Sequence, residues 1–476
     1  MDNIDRNGRG VADTVIASAT VIAARVRARE ISAVAVVEEA LARITRYNGA
    51  LNAVVTLAPH ALDEARTIDE RLARGEDVGI LAGLPVGIKD VTPVAGVRTT
   101  YGSPVFADHV PTSDALVVTR LRAAGAVILG KTNTPEFAAG GNTWNDVFGR
   151  TTNPWDLSKS AGGSTGGGAV GLATGMIALA EGTDLGGSLR MPASFCGVVG
   201  IRPSPGLVPT DPSDWVWDTL LVSGPMGRTA EDVALALQAI AGPSRRVPLA
   251  QPTAGRDFVG AVRRGPRKGV RVAYCPDIAA IGVDPSIERA CRNAAFALSD
   301  IGAQVEEVPF DLSFARDAFI ALRGEWFAAH MYDKLEHLDR FGVNVRANTI
   351  AGLDGSPQAL AAAHHARGRV WHLFTEFFER YDHLLTPTMC VSPFPVEQNF
   401  PEMVAGVKMR TYVDWFAPTF LLSLSGLPVA SVPCGLDAGG LPVGLQIVGR
   451  PLGEEEVLAL SGAVQRIRPI GLPRVP

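Results

Sequence analysis

Three polar residues stand where a polar group needs a reason. Lys89 ends the apolar run LAGLPVGIKD, a place where charge is costly to bury. Ser164 lies inside the glycine-rich stretch SAGGSTGGGAVGLATG, and Ser188 follows two glycines in EGTDLGGSLRMPASFCGVVGIRPSPG. A serine hydroxyl is a weak nucleophile at neutral pH and needs a base. Neither serine motif holds a histidine, which leaves Lys89 as the candidate. An amine acts as a base only when neutral, and burial behind Val86 and Ile88 would drive it that way. The backbone N–H groups of Leu185, Gly186, Gly187 and Ser188 precede the run SLRMPASF, which can open a helix. They would then be free to face a developing negative charge.

Other uses of these residues stay open on spacing alone. Both glycine clusters can be tight surface turns with incidental serines, and a lone lysine can snorkel along apolar surface. Phosphate binding is disfavoured, because no G-K-[ST] ending and no strand-linked G-x-G-x-x-G is present. Gly162 to Gly166 spells G-x-S-x-G, the nucleophile turn of α/β-hydrolases. That turn requires a buried strand ahead of it, and NPWDLSKSAG reads as a polar loop. Asp184 and Arg190, six residues apart, read as an ion pair that shapes the loop, with direct catalysis the alternative.

The elements that must position these residues alternate between helix and strand. Ser32 is placed to cap a helix over AVAVVEEALARITRYN, Asn52–Leu57 reads as a short strand, and APHALDEARTIDERLARG reads as a helix stopped by Gly75. In TSDALVVTRLRAAGAVILGKTN, Ser113 and Asp114 should open a helix, Gly125 should close it, and AVILGK should be a buried strand. A similar unit follows RVAYC in SIERACRNAAFALSDIGAQVEEVPF. The pattern predicts an α/β fold with a mixed, mostly buried sheet flanked by helices. No fixed-period repeat or low-complexity linker divides the chain, so one domain over 1–476 is expected. Glycine and proline crowd into about 81–212 and 387–451. The stretch between, about 230–381, is more ordinary and helix-rich.

Composition narrows the function classes. The 476 residues carry 44 basic and 49 acidic side chains, so 44 − 49 = −5, which argues against a nucleic-acid-gripping surface. No apolar run is long enough to span a bilayer, and the polar start MDNIDRNGRG lacks a signal-peptide pattern, so a cytoplasmic protein is expected. Five scattered cysteines without C-x-x-C point to reduced, buried thiols, and the eight histidines show no metal-ligand spacing. No cofactor or metal is expected.

These motifs together resemble the amidase signature, that of the Ser–cis-Ser–Lys hydrolases. The resemblance rests on GGSTGG followed by GTDLGGSLRMPASFCGVVGIRP, with Ser164 and Ser188 24 apart and Lys89 upstream in PVGIKD. It extends to LNAVV, GAVILGKTNTPEFA, GLPVASVPCG and GLPVGLQIVG, and is least clear between about 230 and 381. It implies that Ser188 attacks the carbonyl, that Ser164, preceded by a cis peptide, relays the proton to Lys89, and that the four N–H groups from Leu185 to Ser188 hold the oxyanion. Thr183 would support the serines. Thr165 stands where the family pairs a second serine, and Ser423 where it often has asparagine, which bears on local hydrogen bonding.

The resemblance implies hydrolysis of an amide through an acyl-enzyme. The family also includes carbamate-cleaving enzymes, and a glutamine-hydrolysing subunit of a tRNA-dependent amidotransferase that works with partner chains. Trp215, Trp217, Phe319, Trp326, Phe327, Trp371, Phe374 and Trp415 supply aromatic material. If two of them line the pocket, a neutral, partly aromatic amide or carbamate is favoured. A homodimer is left open as the assembly.

Overall fold

Eleven strands drawn from most of the chain form one mixed sheet in this computed structural model, which describes residues 16–475. In spatial order they are Val54–Leu57, Val127–Thr132, Pro85–Lys89, Leu179–Asp184, Val222–Gly227, Val199–Arg202, Val429–Leu436, Pro442–Val448, His383–Pro387, Arg271–Tyr274 and Gln304–Glu307. The Pro85–Lys89 strand carries Lys89 and lies between two parallel neighbours. It pairs in parallel with Val127–Thr132 on one side and Leu179–Asp184 on the other, and all three are buried along their length. Strands covered on both faces read as continuous apolar runs, which is why Lys89 stands out in its own.

The expected α/β class holds, and most expected elements form where their signals lie. Ser32 caps Ala33–Leu51, its hydroxyl accepting from the Ala35 N–H at 3.0 Å. The 61–73 helix ends before Gly75, which adopts a φ of +77°. One start differs. The helix Leu116–Ala123 opens from Ala115 without a side-chain cap, because Asp114 is otherwise engaged. Its carboxylate accepts from the Ala95 N–H and the Arg122 guanidinium.

Two apolar clusters make up the core. One runs along the sheet and the helices packed on it. The other joins the helices Arg316–Met331, Pro357–Arg380 and Ala417–Ser423. All five cysteines are buried and free of disulfides. Among the described residues no helix is long and apolar enough to cross a membrane, while MDNIDRNGRG lies outside them.

Candidate active site

Lys89 is the last residue of its strand and is fully buried, with its amine turned toward two hydroxyls. Its Nζ lies 2.7 Å from Ser164 Oγ and 3.0 Å from Thr183 Oγ1, with the Thr183 carbonyl at 3.4 Å. Burial pulls the amine down from its usual range to about 7, against the opposing pull of Glu181 and Asp184. That is the direction a lysine needs if it is to accept a proton near neutral pH.

Ser164 reaches Lys89 from a glycine-built loop. The Gly163–Ser164 peptide is cis, and the loop leads into the short helix Gly166–Ala173. That helix packs very closely on its neighbours. A Cβ at Gly167 would sit 2.3 Å from the Asn133 nitrogen and 2.5 Å from the Ala53 carbonyl oxygen. The glycines therefore serve close backbone approach. Thr165 ties this loop to the next, its N–H donating to the Ser188 carbonyl at 3.2 Å. Its own hydroxyl is buried without a hydrogen-bond partner among the described residues.

Ser188 sits between the Leu179–Asp184 strand and the helix Arg190–Cys196, and is partly exposed where Ser164 is fully buried. Its Oγ makes no hydrogen bond to the described residues. The preceding loop is organised by Asp184. This carboxylate accepts from the Gly187 N–H at 2.8 Å, the Leu189 N–H at 3.2 Å and Arg190 at 3.0 and 3.1 Å. Arg202 adds a contact at 3.3 Å. Burial works against ionisation, yet the two guanidiniums outweigh it and hold the carboxyl well below the usual carboxylate range. The ion-pair reading of Asp184 and Arg190 thus describes their geometry.

Of the four N–H groups expected at the oxyanion, that of Gly187 donates to Asp184 at 2.8 Å, while those of Leu185, Gly186 and Ser188 have no acceptor among the described residues. Neither glycine has room for a side chain. A Cβ on Gly186 would lie 2.9 Å from Phe319, and one on Gly187, at φ +125°, would lie 2.3 Å from Thr419 Oγ1.

A cavity of about 340 Å³ opens beside Thr183. Trp215, Trp326, Tyr101, Phe137 and Leu221 give it apolar walls, and His330 stacks on Trp326 at 3.9 Å. The Trp326 indole N–H donates to Asp218 at 2.7 Å. Of the eight aromatic residues singled out above, only Trp215 and Trp326 face this cavity. Phe319 packs toward Gly186, Trp415 fills the core beneath Gly141, and Phe327 and Phe374 are also core. Trp217 and Trp371 are exposed.

Comparison with known proteins shows the family. The amidase family model matches residues 35–458. The chain belongs to the amidase signature family. It is 35% identical over 433 residues to an acylamidase of Rhodococcus erythropolis, covering 88% of this chain and 89% of that one. It is also 35% identical over 430 residues to a glutamyl-tRNA(Gln) amidotransferase subunit of Alkaliphilus metalliredigens (strain QYMF), covering 84% and 86%. Its fold superposes on a bacterial aryl acylamidase of the same family with a TM-score of 0.88 at 31% identity, covering 95% and 96% of the chains. The chain is an amidase, a hydrolase of carbon–nitrogen bonds.

Several site residues of this amidase escaped the sequence reading. Arg190 also donates to Gln446 and to the Thr419 carbonyl, both at 2.9 Å, and to Ser423 Oγ at 2.7 Å. Ser423, read above only as a departure from the family pattern, therefore fastens the Asp184 hub to the Ala417–Ser423 helix. Glu136 bridges the sheet half to the helical half, accepting from Ser103 Oγ at 2.6 Å and from the Gly342 N–H at 2.7 Å. Beside it, Phe137 and Ala138 take left-handed φ values of 44° and 60° and line the cavity. No spacing rule links residues so far apart. Among the described residues no group of histidine, cysteine, aspartate or glutamate is arranged to hold a metal ion.

Proposed function

We propose that this amidase cleaves small, neutral, partly aromatic amides through an acyl-enzyme on Ser188, with Ser164 and Lys89 moving the proton. The observation that carries this reading is the buried Lys89 amine 2.7 Å from Ser164 Oγ. Ser188 Oγ attacks the carbonyl carbon as its proton passes to Ser164 Oγ, whose own proton goes to Lys89 Nζ. The N–H groups of Leu185, Gly186 and Ser188 hold the oxyanion; losing one such donor typically costs about 3–4 kcal/mol. The C–N bond then breaks, and the relay returns the proton to the leaving nitrogen. Water repeats the sequence on the ester and releases the acid.

Support for the substrate class comes from Trp215, Trp326, Tyr101 and Phe137 around the cavity. The names of the acylamidase and aryl acylamidase relatives point the same way. An aryl carbamate presents the same carbonyl with an alcohol as leaving group, and belongs in the same panel. The amidotransferase relative supports a second reading, release of ammonia from glutamine with a partner chain. No cofactor enters either scheme, and the chain is read as one domain over 1–476.

The test is turnover of matched anilides, aliphatic amides, aryl carbamates and glutamine by the isolated chain, with Ser188→Ala as control. Anilides should be best, and Ser188→Ala should lose about four to six orders of magnitude in kcat. Activity in Ser188→Ala would sink the nucleophile assignment. Glutamine turnover that appears only with a partner chain would favour the second reading. The rate should rise through about pH 7, because Lys89 must be neutral to accept a proton. Lys89→Arg, permanently charged, should not rescue activity. A flat profile from about pH 5 to 9 would count against the lysine base.

A further inference from the structure

Glu181 is a fully buried carboxylate that the relay does not use, two residues before Thr183 on the same strand. It stands beside Ile88 in the parallel ladder. Its Oε2 accepts the backbone N–H of Lys89 at 3.3 Å, and its Oε1 accepts the Thr92 hydroxyl at 3.0 Å. One side chain from the neighbouring strand thus holds both the end of the Lys89 strand and the turn that follows it.

The surroundings are dry and charged. Lys131, from the strand on the far side of Lys89, is buried and donates to the Thr92 carbonyl and to Thr99 Oγ1. Asp90, next to Lys89, accepts from Thr100 N–H and Oγ1. Asp184 ends the Glu181 strand, and Asp114 faces Lys131 from outside. Burial pulls Lys131 down to about 8, while Asp90, Glu181 and Asp114 push the other way. Burial raises both Glu181 and Asp90, and Lys131 opposes the shift in each.

This arrangement bears on the strength of the base. A lysine buried alone falls to about 5–6. It would then be neutral at working pH, yet too weak a base to take the nucleophile's proton. Bases and acids work best near the operating pH. A carboxylate fixed within the same dry volume favours the protonated amine and restores that match. We propose that Glu181 is a positioning residue for catalysis: it holds the Lys89 backbone through Oε2 and the turn that follows through Oε1, and so fixes the amine that accepts and returns the proton.

The proposal rests on Lys89 being the base, and the test separates the two. The pH profiles of kcat/KM would be measured for an anilide and the matching aryl ester in wild type, Lys89→Ala, Glu181→Gln and Thr92→Val. Glu181→Gln should move the rising limb to lower pH by about one unit. It should also lower the alkaline plateau about tenfold for the anilide and less for the ester, whose leaving group needs no proton. KM should change little. Thr92→Val removes one donor to the carboxylate, and should shift the limb the same way by less. It carries the test alone if Glu181→Gln does not fold. A Lys89-dependent limb left in place by the folded variants would overturn the role of Glu181. Full turnover in Lys89→Ala would instead overturn the base assignment beneath it.

Discussion

On the sheet side of the site, Lys89, Asp184, Arg190 and Arg202 are all fully buried, and each is held by several partners on different elements. On the helical side, the cavity wall is made of rings packed on rings, with Trp326 against His330 and Trp215 beside them. Next in sequence to the lining residues Val216 and Met331, Trp217 and Tyr332 are exposed. The difference fits the proposed mechanism, in which proton transfer and oxyanion binding depend on donors placed in advance, as a floor held by many partners places them. Recognition of an apolar group is less directional, and an aromatic wall can change in shape while the floor stays as it is.

The largest effect that would break this comparison lies in the floor. Asp184→Asn leaves Arg190 and Arg202 buried without a counter-charge, and should cost about 3–5 kcal/mol in stability. Thermal unfolding measures it. A loss under about 1 kcal/mol would mean that the hub is not rigid. The wall should respond differently. Trp326→Phe keeps the ring and removes the N–H donated to Asp218, so KM for an anilide should rise about three- to tenfold with kcat nearly unchanged. A fall in kcat at constant KM would place this wall residue in the chemistry. At the rim, Trp217 is 64% exposed, and Trp217→Ser should change stability by no more than about 0.5 kcal/mol and leave turnover as it was. A larger loss of activity would extend the functional wall to the surface.

Legibility in the sequence divides along the same line. Floor residues announce themselves because each breaks a local rule: a lysine ending an apolar strand, and serines among glycines that cost backbone entropy. Wall residues break none. Trp215 and Trp326 carry no local signal separating them from Phe327 or Phe374, because burial in a core and burial in a pocket wall give the same apolar pattern. Glu136 and Glu181 also escaped notice, since an acidic residue in a helix-linked turn or a strand is ordinary until its partners are known.

The amino-acid sequence by itself determined the family, the α/β class, the three residues of the proposed relay and the order in which the chain presents them. These are properties of residue type and spacing along the chain. Only the tertiary structure decided which groups meet. It brought Lys89 to 2.7 Å from Ser164, which lies 75 residues away, and Arg190 to Gln446 across 256 residues. It turned the Gly187 N–H toward Asp184, and it set Glu181 against the backbone of Lys89. Local signals report that a residue is buried or bent. What it is buried against depends on how distant strands and helices pack, which no window of neighbouring residues contains.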